Sequence, residues 1–372
     1  MPWLCKARLA LGLALLAVVG CGPGRTEGAG QGEPAPTVSW SEVVDAVANT
    51  LMTSFDAQTS TFEGARGERV PPTPDMVLFL LDRFVSTRDE NFARIARAAA
   101  ADVLKNRQTL AQDAHGKARL LLLAFALARV LPNPQYNEVA HELAQTLMND
   151  LEDPPAKAPS AWALFEAAGS LGDARYASAA KQALLDAPDV ESADLANALI
   201  SAYEYTGDLG FRSRAGEVFA AVASTAAADP DGLAKAGQMA QAAMRLYYLT
   251  DESRFKEAAG QWLAPFAENY RTFAAHAGAY ALGASWRENY PLKCVLIGRE
   301  DDPRRRDLHD ALLKLPVVRR VVIPVDPAKE PQELRRLGYP DTGKPTAFLC
   351  TDKTCAPVKD VEALQRVFPK LW

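Results

Sequence analysis

One short break recurs along this chain, and it dictates what the chain can fold into. In its clearest form it is Thr206-Gly207-Asp208, between an apolar stretch through Ala198, Leu199, Ala202 and Tyr203 and a second that starts near Phe211. Gly207 reaches the left-handed conformation that ends a helix without a Cβ penalty. Asp208 stands where it caps the free N–H groups that open the next helix. Phe211 then inserts where the two meet. The break returns as Gly172-Asp173-Ala174-Arg175-Tyr176, as Thr250-Asp251-Glu252-Ser253-Arg254-Phe255, as Thr87-Arg88-Asp89-Glu90-Asn91-Phe92, and more loosely as Asn133-Pro134-Gln135-Tyr136. The copies lie roughly 35 to 44 residues apart, the span of one helical hairpin in a repeat fold.

The repeat predicts a lone first helix over 40–54, with Val43, Val44, Val47 and Leu51 on one stripe. Hairpins follow at 75–85 with 92–104, 117–130 with 136–151, 160–171 with 176–185, 194–205 with 211–224, and 233–249 with 255–266. A last helix over 272–286 stands alone. If the two unpaired helices meet, about twelve helices close into an (α/α)6 toroid spanning 39–288. The alternative is an open superhelix, but such solenoids more often carry polar capping repeats. The alanine runs at 98–101 and 226–228 suit close helix packing. Leu120 to Leu123 is apolar all round, as a buried inner helix is.

In a closed toroid the helix before each break lines the inside. The residues nearest one mouth are then His115, Trp162, Asp194, Asn197, Gln238 and His276. Aromatic and polar walls of this kind suit a sugar-sized cleft. A hydrolase would need two carboxylates across that cleft, and Asp194 and Glu166 are the inner-helix acids that qualify. Each also has a plainer reading: Asp194 as a first-turn dipole partner, Glu166 as a paired or solvated acid. No His-x-x-x-His or similar metal-ligand spacing occurs, so neither a metal nor another cofactor is expected.

The two ends differ from this body. Lys6 and Arg8 precede an apolar run over 9–19, and Val18-Val19-Gly20-Cys21 closes it. Charge, apolar run and Gly-Cys junction together resemble a bacterial lipobox, which makes 1–20 a lipoprotein signal segment and Cys21 the lipidated residue. Residue 22 is Gly rather than Asp, which by resemblance to the usual sorting pattern favours the outer membrane, facing the periplasm. Residues 21–38 are rich in Gly, Pro, Glu and Ala and read as a flexible tether. The chain carries a net charge of -5. No basic patch with interleaved aromatics accompanies it, so a nucleic acid is not an expected partner.

After Pro291 the period changes to that of strands. Cys294-Val295-Leu296-Ile297-Gly298 reads as a buried strand, 304–313 as a helix and 320–324 as a second strand. A hairpin of 346–350 with 355–358 and a helix over 360–368 close a small α/β domain, 289–372. It resembles a thioredoxin-type domain. A cis Lys344–Pro345 bond would belong to that fold's turn, although most X-Pro bonds are trans. Where such a fold holds its redox pair, this chain has Asp301-Asp302-Pro303-Arg304, so dithiol exchange is excluded there. Cys350 and Cys355 flank a four-residue loop in an oxidising compartment, which favours a structural disulfide over two buried thiols. Cys294 is left over.

Gly343-Lys344-Pro345-Thr346-Ala347-Phe348-Leu349-Cys350, Cys355-Ala356-Pro357-Val358 and Val295-Leu296-Ile297-Gly298 together resemble the thioredoxin-domain-containing family that includes spermatogenesis-associated proteins. That resemblance implies a toroid related to N-acylglucosamine 2-epimerases and six-hairpin glycosidases. The departures are concrete. The N-terminal thioredoxin domain is replaced by the signal segment and tether. The family's His-Phe-Glu-Lys stretch, expected between Lys105 and Lys117, leaves only His115. Its Pro-Ser-Gly-Asn element is replaced by Gly232-Leu233-Ala234-Lys235-Ala236-Gly237.

The sequence therefore points first to a lipid-anchored, non-catalytic toroid that binds a glycan or a protein at the cell envelope. A second reading is a glycan-processing enzyme, an epimerase or a glycosidase, using Asp194 and Glu166. A third is an envelope protein acting through the Cys350 and Cys355 thiols.

Overall fold

The computed structural model describes residues 39–186, 192–222 and 229–371. The expected signal segment 1–20, Cys21 and the tether 21–38 lie outside the described residues, as does Trp372. No helix among the described residues is long and apolar enough to cross a membrane.

Helix α1 (Trp40–Ser54) buries Val43, Val44, Val47 and Leu51 on one stripe, and Ser39 caps it. A three-stranded antiparallel meander follows, β1 (Phe55–Asp56), β2 (Thr61–Glu63) and β3 (Arg69–Val70). The sequence reading has no strands here: they are two or three residues long, too short for an alternating pattern to show. Hairpins then run in order: α2 (Pro74–Thr87) with α3 (Glu90–Lys105), the single turn α4 (Arg107–Leu110), and α5 (Ala114–Val130) with α6 (Pro134–Asp150). They continue as α7 (Lys157–Leu171) with α8 (Ala174–Leu185), α9 (Ala193–Thr206) with α10 (Leu209–Ala221), and α11 (Pro230–Thr250) with α12 (Ser253–Leu263). The expected last helix is divided. Tyr270–Ala277 is a kinked 3-10 stretch with Ala274 at φ 46°, and α13 (Gly278–Glu288) is the α-helix proper.

The ring closes. Helix α1 packs on α13, and α13 packs on α2. The inner ring is α2, α5, α7, α9, α11 and α13, each touching the next, with α3, α6, α8, α10, α12 and α1 outside. The recurring breaks are the corners of this ring. Gly172 and Gly207 take φ 74° and 78°, and Arg88 and Asp251 take the same left-handed role at φ 60° without being glycine. Asp89, Asp173 and Asp208 accept from the backbone N–H two residues on, at 2.9 Å each.

The tail forms a four-stranded sheet in the order β5-β4-β6-β7, with β4 (Leu292–Ile297), β5 (Arg320–Val325), β6 (Thr346–Cys350) and β7 (Cys355–Val358). Strands β4 and β5 are parallel, joined through α14 (Pro303–Leu313); β6 and β7 are antiparallel. Helices α15 (Pro331–Leu337) and α16 (Val361–Leu371) complete the layer. Lys344–Pro345 is trans, since no cis peptide occurs among the described residues. The toroid and the tail, divided at 288/289 in the sequence reading, do not separate: Val38–Trp372 is one compact unit. The layer covers the end of the barrel at which the inner helices finish, with β5 against α9 and α11 and α14 against α7. Its deepest tie is Arg319, whose Nε donates to Asp82 at 2.7 Å, both side chains 2% exposed. Ser285 on α13 donates to the other oxygen of Asp82 at 2.6 Å.

The tightest crossing in the ring is α11 on α13. A Cβ on Gly237 would run into the carbonyl oxygen of Ala279, and one on Gly283 would come 2.5 Å from the carbonyl oxygen of Gly237. Gly237→Ala should therefore destabilise the protein by about 1–3 kcal/mol or more through overpacking. Gly260→Ala on the outer α12, where the nearest atom is 3.9 Å from the added Cβ, should instead stabilise by about 0.5–1 kcal/mol. Urea denaturation of both variants checks this; equal shifts would refute the crossing.

Candidate active site at the barrel axis

Four of the inner helices, α5, α7, α9 and α11, bring polar side chains to the barrel axis, while α2 and α13 bring apolar ones. Arg119, Leu122, Ala126 and Arg129 come from α5, Trp162 and Glu166 from α7, Asn197 and Glu204 from α9, Gln241 and Arg245 from α11, and Leu282 and Trp286 from α13. Val318 and Arg320 close the floor from the α/β layer. These side chains fill most of the axis. The hollow they leave is about 90 Å³, well below the roughly 300–1,000 Å³ of ligand pockets.

At the floor, Glu166 Oε2 accepts from Arg129 at 3.3 Å and from Arg320 at 3.2 Å. Burial works to raise this carboxyl, but Arg320, Arg129 and Arg245 outweigh it and hold it down at about 2. Beside it, Arg245 donates to Asn197, Ser201 and Glu204 at 3.0, 2.9 and 2.9 Å. Burial raises the Glu204 carboxyl despite Arg245. His309 of α14 lies 2.8 Å from the Glu204 carbonyl oxygen, and burial pushes its imidazole down to about 4, so it is neutral at neutral pH and donates there.

At the open end, where the inner helices begin, His115 Nδ1 is 3.0 Å from Asp194 Oδ2. The hydrogen bond to Asp194 raises the His115 pKa against the opposing effect of burial, with further help from the charges of Asp194 and Asp113. His115 is 48% exposed at its side chain and Asp194 18%. The second oxygen of Asp194, Oδ1, is buried without a partner. Arg119 forms an ion pair with Asp75, and its guanidinium sits 5.3 Å above the Trp162 ring.

Of the residues nominated from sequence, Trp162, Glu166 and Asn197 line the hollow, and His115 and Asp194 meet at its mouth. The two acids nominated as a pair have different partners: Asp194 meets His115 and Glu166 meets Arg129 and Arg320. Glu166 stays ionised between two guanidinium groups and has no proton to donate near neutral pH. Gln238 is buried but does not line the hollow; Gln241, a turn further along α11, does. His276 is exposed on the 3-10 stretch, near Glu68 of the meander. Sequence reading missed Asp75, Arg119, Arg129, Glu204, Arg245 and Arg320. The signal was present: arginines at 119, 129 and 245 interrupt otherwise apolar inner helices, and 119 and 129 share one face.

No cluster of three His, Cys, Asp or Glu residues that would hold a metal ion occurs among the described residues. Cys350 and Cys355 are bridged across the β6–β7 hairpin. Cys294 is buried in β4 and its thiol is pushed up to about 12 by burial. Asp302 caps α14 by accepting from the Arg304 N–H at 2.9 Å.

No protein-family profile matches the chain, and no curated sequence matches it. Solved structures do share the fold. The α-1,6-mannanase of Salegentibacter sp. HEL1_6 superposes with a TM-score of 0.54 at 12% identity, over 67% of this chain and 99% of that one. The Lin0763 protein of Listeria innocua gives 0.54 at 13%, over 67% and 96%. The unsaturated glucuronyl hydrolase of Bacillus sp. GL1, responsible for the degradation of glycosaminoglycan, gives 0.52 at 14%, over 66% and 96%. The chain thus has the six-hairpin glycosidase-like toroid, a fold found in glycan-processing enzymes. The matched share is about the size of the barrel without the α/β layer.

The Glu166 cluster sets an acid limit on stability. Its folded pKa of about 2 lies below the ordinary 4.5, so its contribution is present above about pH 4.5 and is lost as pH falls towards 2. At pH 7, Glu166→Gln should cost about 3–5 kcal/mol, because two buried guanidinium groups lose their counter-charge. Urea titrations from pH 7 to pH 2 should show the gap between the two proteins narrowing below pH 4.5; a constant gap would refute the assignment.

Proposed function

We propose that this chain is a glycan-processing protein of the bacterial cell envelope, acting at the open mouth of its barrel. The observation that carries the reading is the His115–Asp194 pair beside Asp75, Arg119 and Trp162. Of these groups His115 is the one raised towards holding a proton at neutral pH. In this reading His115 is the general acid or base, and Asp194 fixes its orientation and steadies its charge. Asp75 and Arg119 bind sugar hydroxyls across the mouth. The shared fold of the α-1,6-mannanase and the glucuronyl hydrolase supports glycan as the substrate class. Fold alone does not carry activity, so the assignment rests on the mouth.

A second reading, glycan binding without turnover, is favoured by one observation: the hollow is about 90 Å³ and Glu166 is locked between arginines. The Cys21 lipid anchor and an outer-membrane position belong to the same proposal. Cys21→Ser should move the protein from the membrane fraction to the soluble one. We also assign the α/β layer to the thioredoxin-like folds, and through it the chain to the thioredoxin-domain-containing family; the parallel β4–β5 pair, the β6–β7 hairpin and the order β5-β4-β6-β7 support this.

The test is incubation of the purified protein with α-linked mannan, uronate-bearing polysaccharide and envelope glycan, with product and binding measured in parallel. Product formation that falls about 100-fold or more in His115→Gln and Asp194→Asn, with binding retained, is the expected result. With His115 as the acid, activity should fall as pH rises through its raised pKa, with His115 as the base it should rise there, and in either case Asp194→Asn should move that limb to lower pH. Binding lost in those variants with no product formed at any pH favours the second reading. Neither binding nor product would sink both.

A further inference from the structure

The charges around the barrel axis do not balance. Arg119 is answered by Asp75, Arg245 by Glu204, and Arg319 behind the floor by Asp82. Arg129 and Arg320 share a single carboxylate oxygen, Glu166 Oε2. At that point two buried guanidinium groups face one carboxylate. Among the described residues, Arg129 Nη2 and Arg320 Nη1 make no hydrogen bond, and the Nε atoms of both are buried without a partner. Gln241 Nε2 is buried and unpartnered, and Gln241 lines the same hollow. Unanswered buried charge costs several kcal/mol, so such an arrangement is stable when a counter-charge is supplied.

The size of the hollow narrows what that counter-charge is. At about 90 Å³ it takes three waters, at ~30 Å³ each, or one small ion. Water solvates the free N–H groups but leaves the charge. Arginine presents a planar fork of donors that suits oxyanions. The Arg129 guanidinium is already pushed down to about 10, by burial first and by repulsion from Arg320 second.

We propose that the hollow of the barrel is a binding site for one small oxyanion, held between Arg129 and Arg320. The chemistry is that of inorganic phosphate or sulfate, or of a carboxylate carried into the hollow by an acidic sugar. This inference stands whether or not the mouth processes a glycan.

The test is thermal unfolding of the full chain in sodium phosphate, sodium sulfate and sodium chloride at matched ionic strength, with galacturonate and galactose as separate arms. A rise in Tm of about 2 °C or more in phosphate or sulfate over chloride is expected, growing with anion concentration. A rise with galacturonate and not galactose, which adds nothing further in excess phosphate, identifies a sugar carboxylate as the ligand; a rise with the inorganic ions alone identifies the free ion. Arg129→Gln removes the excess charge and should lose the anion response. Gln241→Glu provides a second reading if Arg129→Gln does not fold. It builds a negative charge into the hollow, so it should raise the Tm in chloride and abolish the response to phosphate. Identical Tm values in phosphate, sulfate, galacturonate and chloride would overturn the proposal. So would a full anion response that persists in Gln241→Glu.

Discussion

Glu166 is where a ring of helices and a small sheet become one body. It sits on an inner helix and takes one arginine from the neighbouring inner helix and one from the first residue of β5. Arg319, one residue earlier, makes the companion tie to Asp82 and reaches the carbonyl oxygen of Asn289 at 2.9 Å. Two adjacent residues at the start of one strand thus fix the α/β layer to two different inner helices, α2 and α7. Both ties are buried, so neither is screened as a surface pair would be. A buried ion pair contributes orientation more dependably than net stability. The layer therefore cannot slide on the barrel without leaving charges unmatched.

Further out, Arg336 donates to the carbonyl oxygens of Leu249 and Thr250, both at the end of α11, and to Asp251. Glu333, beside it on α15, takes Arg212 of α10. Burial disfavours the Glu333 carboxylate, but the hydrogen bonds from Arg336 and Arg212 hold it down at about 2. The last carbonyls of a helix need partners, and here the α/β layer supplies them.

Much of the frame was legible in the chain. The corners at Gly172 and Gly207 are written in residue types that admit few backbone conformations, and the apolar stripes of the helices have a clear period. Closure of the ring was inferable because the first and last helices lacked partners. The contents of the axis were harder to read. An arginine in an apolar helix looks alike whether it ends in solvent or in an ion pair, and its partner lies on another element, 154 residues away for Glu166 and Arg320. Pattern along one helix carries no information about the helix opposite. The same limit explains Gln238 and Gln241, which differ by less than a turn and face different neighbours. His276 was misread because the kink at Ala274 turns its segment away from the axis, and nothing in the local sequence announces that kink.

Because Val318 and Arg320 stopper one end, the barrel is a blind-ended well rather than a tunnel. A long polymer cannot thread through it and leave on the far side. Any chain-like molecule that engages the well does so with a terminus or a pendant group, and must back out by the way it came.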